Sequence, residues 1–470
     1  MNRRQLFGSI LGGAAALQAK FTQSGKSKKA KIEPSNSGDR RCYTDEWKRT
    51  NPDYVLYLPP EPLGNDGDNE HLHIVRTPKG DLLAIWSQGT YEASRDSRTV
   101  AARSRDGGHS WTSPRMIVGP TDHPGFTAVW AVPIVGRSGR IYLLFDKHTG
   151  VSDFSYSVTG LLRCVYSDDD GHTWKTGVDF AVRRREQYDH PDPSFPKNII
   201  LWQPPIRDAR DRLIIGLTRW SSLSRFPMAN GPEGWYPDSR SEFVRFDNLD
   251  EGVHPRDLKL TWLPQGESIS VPCPFEPHTS RGYSLAEEPA LVLLPDGRLF
   301  AVMRTITGKL WYSVSQDVDG LEWKPTQVLC FHDNGSPLLH PKNTAPLYRL
   351  PDGRYLLFFQ NHDGTGYGAK GPGDMGARRA PMFYSVGEFR PKAKQPIWFS
   401  EPRIFCDAQN IAIGPGNGAL EGGRTWLSFY GCIDLSGTQP ILWYPDRKHF
   451  LLGRNITATM LEGMTVPTES

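Results

Sequence analysis

This sequence of 470 residues has few cysteines and a low net charge. The six cysteines are scattered and form no CxxC pair, so neither a disulfide-dense scaffold nor a redox motif is indicated. The formal net charge is only +3, and the basic residues stand among acidic ones instead of in clusters. A nucleic-acid partner is therefore not expected.

Long apolar runs are missing as well. The apolar stretch of residues 8–19 is too short to span a bilayer, and no later segment resembles a transmembrane helix. That stretch follows the pair Arg3-Arg4, a combination typical of a twin-arginine export signal, here over residues 1–19. Residues 20–50, rich in Lys and Ser at first, are interpreted as a linker. We therefore expect export to the periplasm or the exterior and no membrane span, with a disordered tail as the alternative.

Helical periodicity is absent from the repeats beyond residue 50, whereas Gly, Pro, Trp and Tyr are abundant, with 46, 39, 14 and 17 copies. This composition favours many short strands joined by turns. A turn like Pro-Asp-Gly-Arg followed by an apolar strand recurs six times, at intervals of roughly 55 to 85 residues. The copies begin at Pro78, Arg137, Ala209, Pro295, Pro351 and Glu421. They predict an all-β protein with a single β-propeller domain over residues 51–470. We expect six four-stranded antiparallel blades, seven being possible, with residues 54–58 closing the ring.

A second motif adds an Asp-containing hairpin to three of the repeats, at Ser104–Trp111, Ser167–Trp174 and, one residue longer, Ser315–Trp323. Its Asp stands where a tight turn needs a side chain that hydrogen-bonds to the nearby backbone, and its Gly stands where the turn needs a positive φ. The motif resembles the Asp-box of the sialidase-like β-propeller superfamily, and as architecture the resemblance covers residues 70–450. In that superfamily the boxes are structural and lie on the outer rim, so the resemblance implies fold and not chemistry.

Candidate catalytic residues stand beside the strands that should converge on the axis. His71, which shares one face of its strand with His73, and His123, in a loop before the next strand, suit acid–base chemistry near neutral pH. Tyr188 lies in a long polar loop. Arg219 and Arg304 end second strands and could hold a carboxylate with their planar forks. The alternatives are that the histidines are structural, that the loop with Tyr188 only forms turns, and that Arg304 forms an internal salt bridge.

A long Gly-rich loop, residues 361–379, follows the second strand of the fifth repeat, and its composition suits a rim over a cleft. A separate group of residues, Cys330, His332, His340 and His278, supplies the soft ligands that zinc prefers. A structural zinc is therefore one expectation. Free buried cysteines and surface histidines are the other, and no cofactor is expected for the chemistry itself.

Three functions remain open on these residues. Glu288 and Arg304 resemble a sialidase pattern in which a Glu and an Arg come from one blade, but Arg76-Thr77-Pro78 is a poor substitute for the Arg-Ile-Pro that sialidases carry in the first blade. The context of His123 and the Tyr188 loop are similar to propeller polysaccharide lyases of the ulvan-lyase type. That similarity implies Arg219 or Arg304 on a uronate carboxylate, with Tyr188 and His123 as the acid–base pair.

Some related propellers are glycosidases that release rhamnose from uronic acid and have a His near the first blade. If this chain resembles them, His71 is the expected catalytic residue. A non-catalytic sugar-binding propeller is the third function, since aromatic side chains can stack on sugars. We expect a secreted, monomeric enzyme that cleaves an acidic polysaccharide or glycan at a uronic or sialic sugar. Elimination is favoured over hydrolysis.

Overall fold

Strands make up 43% of the computed structural model and helices 6%, so the protein is all-β. The structure describes residues 45–120, 127–155, 157–231, 234–275, 278–374, 379–409, 411–416, 419–424 and 431–468. The chain divides into two units, residues 1–46 and 47–470, and every strand of the described residues lies in the second unit. The predicted export signal and most of the linker lie outside the described residues.

The strands follow one another in short, regular steps. In chain order they are β1 (Tyr54–Tyr57), β2 (Asp68–Arg76), β3 (Leu82–Gly89), β4 (Arg98–Ser104), β5 (Arg115–Val118), β6 (Ala128–Val135), β7 (Ile141–Lys147), β8 (Thr159–Ser167), β9 (Lys175–Phe180), β10 (Lys197–Arg207), β11 (Leu213–Trp220), β12 (Ala229–Gly231), β13 (Gly234–Tyr236), β14 (Ser239–Phe246), β15 (Leu260–Leu263), β16 (Glu287–Leu293), β17 (Leu299–Arg304), β18 (Trp311–Val314), β19 (Gln327–Val328), β20 (Leu347–Arg349), β21 (Tyr355–Phe359), β22 (Met382–Phe389), β23 (Ile397–Phe399), β24 (Arg403–Cys406), β25 (Ile413–Gly416), β26 (Ala419–Arg424), β27 (Cys432–Asp434), β28 (Ile441–Asp446) and β29 (Phe450–Asn455).

In the part of the chain that the structure describes, helical structure is confined to short segments. These are α1 (Ala458–Leu461) and the 3-10 turns Glu46–Thr50, Leu249–Glu251, Pro255–Asp257, Thr279–Arg281 and Thr365–Tyr367. In the described part of the chain, no helix has the length and apolar character needed to cross a membrane.

The strands form antiparallel sheets in a β-propeller arrangement with four separate blades. These are β2–β5, β16–β19, β20–β24 and the sheet β27–β28–β29–β1. In the last of them Tyr54 pairs with Gly453, so the predicted closure of the ring by the first strand is confirmed. β25 with β26 and β12 with β13 are two-stranded additions.

The predicted count of six blades is not confirmed, because two of the repeats share one sheet. Strands β6–β9 and β10, β11, β14 and β15 form a single eight-stranded sheet, joined where Lys197 and Asn198 of β10 pair with Gly160 and Thr159 of β8. This lateral pairing depends on where the third strand of one repeat, β8, and the first strand of the next, β10, begin. The repeat spacing carries no information on these starting points.

Local turn chemistry follows the sequence motifs. In the first Asp hairpin, the Asp106 carboxylate accepts hydrogen bonds from the backbone N–H of Ser110 at 2.9 Å and from the Ser104 hydroxyl at 2.7 Å. The indole of Trp111 donates to the Gly108 carbonyl at 3.0 Å. The hairpins connect β4 to β5, β8 to β9 and β18 to β19, so they serve the outer strands of each repeat and not the axis.

First strands surround the propeller axis. β2 contacts β6 and β27, β10 contacts β6 and β16, and β16 contacts β20. Four of these strands carry a bulge marked by a residue with positive φ: His71 (53°), Trp130 (57°), Gln203 (50°) and Glu288 (47°). Bulges re-aim side chains and are common beside functional sites. The same end of the axis is therefore irregular in four successive repeats.

Candidate functional site

Charged side chains converge at the end of the axis where β2 and β16 begin and β17 and β28 end. We call this group the axial charge cluster. Its members are Asp68, Glu70, Glu92, Glu287, Glu288, Arg304, Lys342, Arg379, Arg424 and Lys448. Except for Glu92 and Lys342, which are partly exposed, every member is buried. Buried charge on this scale costs stability unless it is paired, and pairing is what the geometry provides.

One half of the cluster is built on the start of β2. The Lys448 ammonium lies 2.5 Å from Oε2 of Glu70 and 2.8 Å from Oε1 of Glu92, so it bridges two carboxylates from different elements. Arg424, at the end of β26, contacts Asp68 at 2.5 Å and Glu92 at 3.3 Å. Two cations and three carboxylates thus form a continuous chain of ion pairs, from Asp68 through Glu92 to Glu70.

The other half is built on β16 and β17. Glu287 and Arg304 are paired in register, and Arg304 contacts Glu287 at 3.0 Å and Glu288 at 2.6 Å. The indole of Trp220 donates a hydrogen bond to Glu287 at 3.2 Å. Arg304 therefore forms the internal salt bridge that was its alternative interpretation, and it does so inside the cluster.

Arg379 is 2% exposed, and its charge acts on groups in both halves. Its charge helps to lower the pKa of Glu92 in the first half. Burial lowers the pKa of Lys342 in the second half, Glu287 opposes that change, and the charges of Arg304 and Arg379 add to it. The charge of one guanidinium is thus felt by Glu92 in the first half and by Lys342 in the second.

The environments of Glu70 and Glu92 drive their pKa values apart. Burial raises the pKa of Glu70, although the Lys448 ammonium opposes this change. Burial also acts against ionisation of Glu92, but Lys448 and Arg424 together outweigh it and hold its pKa below the ordinary value. One carboxyl group therefore tends to keep its proton while its neighbour tends to lose it. That pattern is typical of an acid and a base with separate roles.

His71 adjoins Glu70 on β2 but is a neutral ring. Its Nε2 lies 3.0 Å from the Leu201 carbonyl oxygen, and Trp130 meets it edge-on with ring centroids 5.4 Å apart. Burial lowers its pKa to about 3. It is near the cluster, and it carries no charge at neutral pH.

Arg219 and Tyr188 lie in a different place, on the β10–β15 half of the eight-stranded sheet. The guanidinium of Arg219 is fully buried, and all three of its nitrogens donate to protein oxygens, those of Glu242, Asp189 and the Arg183 carbonyl. The contacts of Arg219 are those of a structural ion pair and not of a ligand clamp.

The Tyr188 hydroxyl donates to Glu267 at 2.9 Å, and the Arg240 guanidinium lies 4.0 Å from the centre of its ring. Burial raises the pKa of Tyr188 to about 12. The structure therefore does not bring Tyr188 and Arg219 to the axial charge cluster. His123, the predicted partner of Tyr188, lies outside the described residues.

The four predicted zinc ligands are separated. His340 is buried beside the axial charge cluster, with Nε2 2.9 Å from the Asn343 carbonyl oxygen. Cys330 and His332 border a cavity of about 220 Å³ at a sheet edge, and His278 directly precedes the 3-10 turn Thr279–Arg281. Among the described residues, no group of three or more His, Cys, Asp or Glu side chains is placed to hold a metal ion. Cys164, Cys273, Cys330, Cys406 and Cys432 are free thiols.

Sequence reasoning named Arg304 and the neighbourhood of Glu70, but it missed Glu92, Arg424 and Lys448. The available signal for Lys448 was the turn Asp446-Arg-Lys-His449, where four charged or polar residues occupy a tight hairpin between apolar strands. Such a turn normally uses Asn and Gly.

No family model matches this chain. A sialidase of Paraclostridium sordellii is 27% identical over 132 residues, which are 26% of this chain and 31% of that relative, so the match spans less than a third of the relative.

Among solved structures, Hadza microbial sialidase Hz136 superposes with a TM-score of 0.53 at 14% identity, over 84% of this chain and 67% of that one. The intramolecular trans-sialidase of Ruminococcus gnavus, solved with oseltamivir carboxylate, gives 0.52 at 14% identity, over 88% and 99%. A Dyadobacter fermentans protein of unknown function gives 0.53 at 12%, over 86% and 96%. These similarities show that the fold is a sialidase-like β-propeller. They do not confirm the predicted similarity to ulvan lyases.

Proposed function

We propose that this protein is a glycoside hydrolase that cleaves a glycan next to an acidic sugar, at the axial charge cluster. The observation that carries the proposal is the convergence of five cations and five carboxylates on the axis of a sialidase-like propeller. The neighbours named sialidase and trans-sialidase support the substrate class.

The cluster favours an anionic ligand. When Glu70 holds its proton, five cations face four carboxylates, so the site has excess positive charge. Arg304, Arg379 and Arg424 supply the planar guanidinium groups that bind a carboxylate with two hydrogen bonds. A uronic or sialic sugar brings such a carboxylate next to its glycosidic bond.

Glu70 and Glu92 are assigned the proton transfers. Most glycosidases use two carboxyl groups, one protonated to help the leaving oxygen depart and one ionised to activate water or attack the sugar. The raised pKa of Glu70 suits the acid, and the lowered pKa of Glu92 suits the base or nucleophile. Glu92 is also the more exposed of the two, with 22% of its side chain accessible.

Hydrolysis replaces elimination as the favoured reaction because the residues proposed for elimination do not support it. A base must have a pKa near the working pH, whereas that of Tyr188 is raised to about 12 and its hydroxyl already donates to Glu267. Arg219 is bound to Glu242 and Asp189, outside the axial charge cluster. We further propose that the protein is exported by its twin-arginine sequence and acts as a monomer. On this proposal the eight-stranded sheet counts as two of six blades.

The experiment incubates the protein with a sialoside and with uronate-rich polysaccharides and follows both new reducing ends and ultraviolet absorbance. Hydrolysis releases a reducing sugar without absorbance from a conjugated double bond, and elimination produces both. Glu92→Gln and Glu70→Gln should each lower turnover by about 100- to 10,000-fold. The exposed Glu401→Gln is the matched control and should retain wild-type turnover.

Absorbance from an unsaturated product would establish elimination instead. Binding of the glycans without cleavage would favour the sugar-binding alternative. If Glu92→Gln and Glu70→Gln both keep full turnover, the axial charge cluster is not the catalytic site.

A further inference from the structure

The turn that carries Lys448 has an unusual composition for its backbone. It joins β28 to β29, and both of its central residues, Arg447 and Lys448, have positive φ, 55° and 54°. Long side chains rarely adopt this left-handed conformation, and two in succession are costly. Asp446, Arg447, Lys448 and His449 are all at most 2% exposed. Strain of this kind persists only where the surroundings enforce it, and it is concentrated at functional sites.

The surroundings fix this turn to the strand that carries Glu70. The backbone N–H of Asn69 donates to the Lys448 carbonyl at 2.8 Å, and the Asn69 amide donates to the His449 carbonyl at 3.0 Å. Arg447 forms two hydrogen bonds to its neighbour Asp446, at 3.0 and 2.9 Å. The backbone on both sides of Lys448 is thus held, and its ammonium is placed between Glu70 and Glu92 with little freedom.

We infer that Lys448 is a positioning residue that holds the Glu92 carboxylate ionised and fixes it beside Glu70. The inference rests on the proposed function for the roles of the two carboxyl groups. Its geometric basis is independent: one buried ammonium lies 2.5 and 2.8 Å from the two carboxylates, on a hairpin turn that has two long basic residues where Asn and Gly are usual.

Other charged and titratable groups also face this pair. They are Asp68 and His71 from β2, Arg424 from β26, Arg379 from the loop before β22, and His449 beside Lys448. Arg424 and Arg379 also help to lower the pKa of Glu92, so loss of Lys448 raises that pKa without restoring the value of an isolated glutamate.

The test compares Lys448→Met and Lys448→Arg with wild type in the pH dependence of kcat and kcat/KM on the best substrate of the glycan panel. Removing the ammonium should raise the pKa of both carboxyl groups, because an opposite charge this close favours the ionised form by about 1 to 3 pKa units. In Lys448→Met both limbs of the profile therefore move to higher pH by about 1 to 3 units. Lys448→Arg, which keeps the charge, should return both limbs to within about half a unit of wild type.

Lys175→Met is the matched control, because Lys175 pairs with Asp168 in the second Asp hairpin and 53% of its side chain is exposed. Its profile should equal that of wild type. If Lys448→Met lowers kcat uniformly while both limbs stay in place, Lys448 only supports the fold locally and the inference is overturned, although the proposed function stands.

A second measurement separates the two proposals. Carboxyl ¹³C signals of glutamate, assigned with Glu92→Gln, give the ionisation midpoint of Glu92 without any substrate. A rise of about 1 to 3 units in Lys448→Met, reversed in Lys448→Arg, supports the positioning role even if no glycan is cleaved. An unchanged midpoint contradicts it even if glycans are cleaved.

Discussion

Replacing Glu242 by Gln should destabilise the protein strongly while leaving its shape intact. Glu242 is fully buried in β14 and accepts hydrogen bonds from Arg185 at 2.8 Å, from Arg219 at 3.0 Å and from Ser268 at 2.5 Å. Glutamine keeps the volume but removes the charge. It leaves the buried Arg219 with Asp189 as its remaining carboxylate. Breaking a buried pair in this way costs about 3 to 5 kcal/mol.

The pKa of Glu242 gives an independent magnitude. Burial opposes its ionisation, but Arg219 and Arg185 lower its pKa from the ordinary value of 4.5 to about 2. That shift corresponds to about 3 kcal/mol of folding stability at neutral pH. Because the folded-state pKa is the lower one, this contribution is complete above about pH 4.5 and is lost as the pH falls toward 2.

Urea unfolding of wild type and Glu242→Gln at pH 7 and pH 3 measures the effect. The difference in unfolding free energy should be about 3 to 5 kcal/mol at pH 7 and clearly smaller at pH 3. Glu186→Gln, which removes a carboxylate with 75% of its side chain exposed, should change nothing measurable. A difference below about 1 kcal/mol at pH 7, or one that is equal at the two pH values, would refute the reasoning.

Three further predictions concern the hairpins, the core and the site. Asp106→Ala removes the acceptor for the Ser110 N–H and should lower the midpoint of thermal unfolding without changing turnover at 25 °C; an unchanged midpoint would show that the hairpin contributes no stability. Gly453→Ala should cost about 1 to 3 kcal/mol in urea unfolding, because its Cβ would lie 2.6 Å from the buried ring of Trp443, and wild-type stability would mean that the indole can move. Arg304→Gln should lower kcat/KM for an acidic glycan more than for a neutral one, and an equal loss on both would contradict a role in carboxylate binding.

The features that the sequence predicted well are those with local causes. The Asp hairpins follow from one carboxylate that bonds to backbone N–H groups four residues away, as Asp106 and Asp169 do. The closing strand at residues 54–58 could be predicted because an unpaired apolar strand before the first repeat needs a partner, which β29 supplies.

The blade count had no such local cause. The fusion of two repeats into one sheet depends on the pairing of Asn198 with Thr159, two residues at the ends of strands that the repeat pattern treats as separate. The pattern therefore identified the strands and could not identify how neighbouring sheets meet.

The candidate site was also predictable only where its residues lie close together along the chain. Glu288 and Arg304 were recognisable because both belong to one strand pair, 16 residues apart along the chain. Arg424 and Lys448 are 356 and 378 residues from Asp68 and Glu70, and only ring closure brings them together. Conversely, Arg219 ends a strand in the way a ligand-binding residue would, but β14 places Glu242 beside it and satisfies its charge internally.

The central claim is that the axial charge cluster hydrolyses a glycosidic bond beside a carboxylate. The most direct measurement compares kcat/KM for two substrates that differ only in this group, the free acid and its methyl ester, in wild type and in Arg304→Gln. Wild type should prefer the acid by about 10- to 100-fold, the worth of a charge-assisted hydrogen bond, and Arg304→Gln should lose most of that preference. Equal cleavage of acid and ester by wild type would contradict the account.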